Sequence, residues 1–149
     1  MKEISKKFCK GHHIICLLIF IISCTAEKDN NLGLIIDDAY INLPLKGQLI
    51  SVGYFKLSNN SSETKVVNKI VCQDLNASLH TSYLNLEGML TMKPIKDILI
   101  ERNSAITFQP GSHHVMISGL KSSLELGSTL ECNLIIDKTK ELTVAFALK

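Results

Sequence analysis

At 149 residues the chain has room for one domain. Its 16 basic and 14 acidic residues give a formal charge of +2, but four of those lysines (Lys2, Lys6, Lys7 and Lys10) lie in the first ten residues. Without the leading segment, which also takes Glu3, the charge is −1, and no basic patch remains to support nucleic-acid binding.

The leading lysines are followed by an unbroken apolar run, Ile14 to Ile22. The run is too short for a membrane-spanning helix, which needs about 20 apolar residues, and it suits the apolar region of a secretory signal. Ser23-Cys24 follows directly, and a small residue before a cysteine at this place resembles the bacterial lipobox, in which the cysteine is lipidated and heads the mature chain. Residues 1–23 are therefore expected to be a lipoprotein signal peptide and Cys24 its lipidation site. The alternative is an ordinary secretory signal in which Cys24 is incidental. Thr25 stands where an Asp would mark inner-membrane retention, so the expected address is the periplasmic space, tethered to the outer membrane. His12, His13, Cys9 and Cys16 leave with the signal.

Residues 24–32 are polar and read as a tether; 33–149 read as the domain. Strand-like runs then recur in order, bounded by turn residues. They are Leu34 to Leu43, Val52 to Ser58, Lys65 to Cys72, Ala77 to Leu86, Met89 to Ile95, Ile98 to Glu101, Ala105 to Phe108, His113 to Leu120, Thr129 to Ile136 and Leu142 to Leu148. Glu87-Gly88 reads as a hairpin turn, and Gln109-Pro110-Gly111-Ser112 as a turn leading into the next strand. No segment keeps a 3.6-residue apolar period over a helical length. Eight to ten short strands at regular spacing predict an all-β sandwich or barrel. Without tryptophan, its core is aliphatic apart from Phe55, Phe108 and Phe146. Cys72 and Cys132 could pair in an oxidising compartment, or remain two thiols of the core; both readings stay open.

Once the signal is set aside, every remaining His and Met falls within the 37 residues from His80 to Met116: His80, Met89, Met92, His113, His114 and Met116. Thioethers and imidazoles form the donor set of a soft ion, copper(I) above all. Thioethers also survive an oxidising compartment without forming disulfides, whereas zinc favours Cys, His and carboxylate. In a strand, His114 and Met116 project to one face and Val115 to the other. His80 and Met92 stand on the two arms of the hairpin, in a register that the sequence does not fix. Two nitrogens and two sulfurs from three strands could form a tetrahedral shell. Taken singly, each Met reads as core filler and each His as a surface or hydrogen-bonded residue.

These residues resemble the PCu(A)C family of periplasmic copper chaperones, whose pattern is His, ten residues, Met, twenty-one residues, then His-x-Met. His114 and Met116 match the His-x-Met, twenty-one residues separate them from Met92, and eleven separate His80 from Met92. Gly88 keeps the family's spacing to the second ligand, so the added residue lies between His80 and Gly88. Met92-Lys93-Pro94-Ile95, Gln109 to Met116, Gly119-Leu120 and Gly53-Tyr54-Phe55 to Asn59-Asn60 are similar to the family's flanking text, and the likeness extends from Ile35 to Leu148. The chain lacks the Met/His-rich tail of some members.

The resemblance implies a cupredoxin-like Greek-key β-sandwich, copper(I) on His80, Met92, His114 and Met116, and transfer by ligand exchange without catalysis. The implied recipient is the copper-containing subunit of cytochrome c oxidase, directly or through a Sco-type partner. The protein is expected to be a monomer. Met89 and His113 fall outside the pattern and are expected to be secondary or substitute ligands at best. An electron-transfer cupredoxin would need a Cys thiolate beside two His, and Cys132 lies beyond the last His with no matching loop. A lipid-anchored binding module of the envelope without metal is the second alternative. An enzyme is the third, with no Ser/His/Asp or paired-carboxylate arrangement to support it.

Overall fold

The computed structural model describes residues 32–45, 47–120 and 125–149. The signal segment, Cys24 and the tether up to residue 31 lie outside the described residues. Among the described residues all regular structure is strand: β1 (Leu34–Ile41), β2 (Ile50–Asn59), β3 (Lys65–Cys72), β4 (Asn76–Leu84), β5 (Leu90–Pro94), β6 (Ile98–Ile100), β7 (Ser104–Phe108), β8 (His113–Ser118), β9 (Thr129–Ile136) and β10 (Lys140–Leu148).

Period-two patterning explains most of them. In β10 Leu142, Val144, Phe146 and Leu148 are buried while the residues between them face water. In β9 Cys132, Leu134 and Ile136 alternate in the same way. The buried side of β2 is Ser51, Gly53, Phe55, Leu57 and Asn59. Two strands break the alternation. β3 bulges between Val67 and Lys69, and β1 between Asp37 and Tyr40, where Asp38 takes a φ of 53°.

The strands form one continuous ladder in the order β5-β4-β8-β7-β2-β1-β10-β9-β3-β6, and β2 pairs with β8 through its first half and with β7 through its second. β1 joins the halves, antiparallel to β2 and parallel to β10. The ladder curls so that both halves turn their apolar faces into a common core, giving the cupredoxin-like sandwich with Greek-key crossovers. Phe55 stacks on Phe108 (centroids 4.2 Å apart) and meets Phe146 edge-on at 5.9 Å. Gly53 makes this possible, since a Cβ there would stand 3.2 Å from the Phe146 ring.

Two cross-ties fix the ends. Asn59, fully buried, donates to the carbonyls of Glu63, Ile100 and Glu101 and accepts from Ser61, tying the β2–β3 turn to the β6–β7 turn. Cys72 and Cys132 are register partners across β3 and β9, with Cα atoms 4.2 Å apart, and form a disulfide. The pairing left open by the sequence is thereby settled.

Candidate metal centre

Three strands carry the four residues of the expected copper shell. β4 lies between β5 and β8, antiparallel to both. Leu79, Val115 and Ile117 point from β4 and β8 into the core, so their neighbours in the chain occupy the outer face. His80 is the register partner of His114, and Ser78 that of Met116. On the other side of β4, Ser82 is opposite Met92 and His80 is opposite Pro94. By alternation all four candidate ligands share the outer face. His80 and His114 stand side by side, with Met116 two residues along β8 and Met92 one step diagonally across β5. The His80 and His114 rings are stacked, with centroids 5.7 Å apart and planes 17° from parallel.

The local turns set this register. Gln109 to Ser112 forms a turn closed by the Ser112 N–H on the Gln109 carbonyl, with Gly111 at a φ of 78°, the geometry of a type II turn with Pro at its second position and Gly at its third. It delivers His113 and His114 to the start of β8. The hairpin closes at Asn85, whose Oδ1 accepts from the backbone N–H groups of Glu87 and Met89. Pairing from His80–Pro94 to Leu84–Leu90 contains no bulge.

His114 is the most constrained of the four. It is 4% exposed although it faces away from the core. Its Nδ1 lies 3.0 Å from the Ser112 carbonyl oxygen. A carbonyl can only accept, so in the neutral ring Nδ1 carries the proton and Nε2 keeps its lone pair. That Nε2 is buried and has no hydrogen-bond partner. Buried polar atoms are nearly always partnered, and an orphan needs a reason. A ring held through one nitrogen with the other bare is how proteins present imidazole to a metal. His80 is held more loosely, with its Nδ1 3.4 Å from the Ser78 hydroxyl.

The thioethers are more open. Met92 is 52% exposed, and Met116 is half-buried beside a groove of about 370 Å³ also lined by Leu75, Asn76, Ser78 and Ser118. Val52 of β2 stands opposite Met116 and closes that side. Among the described residues no group of three His, Cys, Asp or Glu side chains is placed to hold a metal ion. Coordination of an ion on this face would thus need the thioethers, which selects a soft ion.

Met89 and His113 are placed apart. His113 alternates to the face opposite His114, where its ring lies 5.8 Å from that of Phe108. Burial, and to a lesser degree the neighbouring His114, hold its imidazole below the ordinary value of 6.5. Met89 is exposed in the turn, out of phase with Met92 by three residues. The structure brings neither to the shared face. Sequence reasoning missed Ser112, whose backbone carbonyl sets the His114 tautomer, and Ser78; no residue-type signal marks a backbone acceptor.

Residues 34–148 match the family model described as "Putative lipoprotein LpqE-like". No curated protein matches the chain. Among solved structures, the apo PCuAC domain from PmoF1 has a TM-score of 0.65 at 22% identity, covering 78% of this chain and 93% of that one. The copper-bound PCuAC domain from PmoF2 has a TM-score of 0.62 at 18% identity, covering 78% and 92%. The copper(I) form of DR1885 from Deinococcus radiodurans has a TM-score of 0.55 at 24% identity, covering 77% and 76%. The likeness to these structures is one of fold. By the match over residues 34–148, the chain belongs to the LpqE-like family, and its domain has the fold of the PCuAC domains.

Proposed function

We propose that the protein is a copper(I)-binding chaperone of the bacterial cell envelope, anchored through lipid on Cys24 to the outer membrane, and that His80, Met92, His114 and Met116 hold the ion. The observation that carries this reading is His114, with Nδ1–H on the Ser112 carbonyl and a buried, unpartnered Nε2 on the face shared with His80 and the two thioethers. The copper-bound states of PmoF2 and DR1885, which share the fold, support it.

Copper is cargo in this reading, not a cofactor, and the protein is not an enzyme. The imidazoles supply two nitrogens and the thioethers two soft neutral sulfurs, a donor set that suits a soft monovalent ion. Delivery is ligand exchange. A donor of the recipient enters from the open side and displaces a thioether while the buried imidazole keeps its hold. The proposed recipient is the copper-containing subunit of cytochrome c oxidase, reached directly or through a Sco-type partner, with the chaperone acting as a monomer.

Copper(I) titration of the protein against a competing chelator, under anaerobic conditions, tests the reading. One tightly held ion is expected, lost when His114 and Met116 are both replaced. Absence of binding at micromolar copper would overturn the proposal in favour of an envelope binding module without metal.

A further inference from the structure

The β4–β5 hairpin exposes more apolar surface than its role as a connection requires. Leu84, Leu86, Met89 and Leu90 are all exposed, and Leu86 is completely so at 106%. Residues at such turns are usually Asn, Gly, Asp or Ser. Asn85 and Gly88 meet that need here, yet Leu86 projects from between them. Leu84 and Leu90 are register partners and lie on the same face as Met92. On the other face Lys93 sits over the exposed Tyr83 ring at 5.3 Å. Apolar side chains at a tip, with an aromatic ring and a cation behind them, follow the order of groups across a membrane interface.

The direction of the hairpin names the occupant. β4 and β2 are both antiparallel to β8, so they run the same way, and β1 enters against the far end of β2 with Leu34 opposite Asn59. The hairpin tip and the point where the chain enters the domain thus lie at one end of the sheet. Cys24 precedes Leu34 by ten residues, at most about 35 Å of extended chain. A lipid on Cys24 is therefore attached nearer this end of the domain than the other, which favours this end at the bilayer.

We infer that the β4–β5 hairpin is a lipid-contacting wedge, its leucines seated in the interface of the membrane that holds the anchor. The inference rests on the lipid-anchor reading and not on copper. The wedge orients the domain, keeping the outer face of β4 and β8 beside the membrane surface.

The chain has no tryptophan, so one substitution gives a single fluorescent reporter. The full lipoprotein, with lipid on Cys24 verified by mass, is placed in phosphatidylcholine vesicles with and without brominated acyl chains. Leu86→Trp reports the tip. Leu49→Trp reports the opposite end, where Leu49 is also exposed and its carbonyl accepts from Gly119 after β8. The expected result is blue-shifted emission and several-fold quenching by brominated lipid for Leu86→Trp, with neither for Leu49→Trp. An unquenched tip in lipidated protein overturns the wedge and leaves the leucines to a protein partner. Preferential quenching at Leu49, equal quenching at both ends, or absence of lipid on Cys24 overturns it too. Copper titration of Leu86→Trp reads the metal site separately and does not bear on the wedge.

Discussion

Replacing His114 by leucine separates a metal ligand from a structural histidine. In the metal-free protein Nε2 of His114 is buried without a partner, and such an atom costs about 1–3 kcal/mol of desolvation. Leucine has nearly the same bulk and no polar atom. The substitution also removes the Nδ1–H bond to Ser112, worth about 0.5–1.5 kcal/mol. The Ser112 carbonyl is not orphaned, because it accepts from the Ser82 N–H at 3.1 Å. The balance predicts that metal-free His114→Leu is as stable as the parent, or up to about 2 kcal/mol more stable. Copper reverses the order. At a free concentration of 100 times Kd, binding stabilises the parent by about 2.7 kcal/mol and leaves the variant unchanged. Urea unfolding followed by circular dichroism, with copper(I) buffered by a chelator, measures all four states. Loss of more than about 2 kcal/mol in the metal-free variant would show that the imidazole is there for the fold and refute the reasoning. So would equal stabilisation of both proteins by copper.

The other expectations are simpler. Met92→Leu, at an exposed position, should change stability by no more than about 0.5 kcal/mol yet weaken copper(I) binding by at least roughly tenfold, since even partners outside the coordination shell cost 10–100-fold; Met89→Leu should leave the chelator titration unchanged. The Cys72–Cys132 bridge closes a loop with a sequence separation of 60, which in the chain-entropy account corresponds to about 4 kcal/mol, so urea midpoints of oxidised and fully reduced protein should differ accordingly, and a difference below about 1 kcal/mol would contradict that account here. Asn59→Ala leaves carbonyls of two turns without their buried donor and should cost on the order of 3 kcal/mol in the same measurement.

The strands were legible in the sequence where the alternation is clean. Lys65 to Cys72 and Thr129 to Ile136 are the observed β3 and β9. β1 ends at Ile41, two residues before the expected Leu43, and β8 ends at Ser118, before Gly119 turns the chain with a φ of 88°. Period two fixes which residues share a face within a strand but carries no information about register between strands distant in sequence. For that reason His114 and Met116 could be paired by reading, whereas the pairing of His80 with His114 and of Ser82 with Met92 could not. Cys72 and Cys132 posed the same problem and were resolved by the β3–β9 register. The burial of His114 was illegible as well, because alternation alone would expose a residue on the outer face of β8.

The order of strands at this edge ranks the attachments of any ion held on the outer face. β8 is paired on both sides, by β4 and β2, and carries His114 and Met116. β4 is also paired on both sides and carries His80. Among the described residues β5 has β4 as its only neighbour in the sheet, and it carries Met92. An edge strand of five residues opens at lower free energy than the strands behind it. Exchange would therefore proceed in sequence, from the margin of the sheet inward: Met92 yields first, and His114, seated on the most enclosed strand with its tautomer locked by the backbone, yields last. A recipient approaching along β5 would meet the ion at its weakest tie.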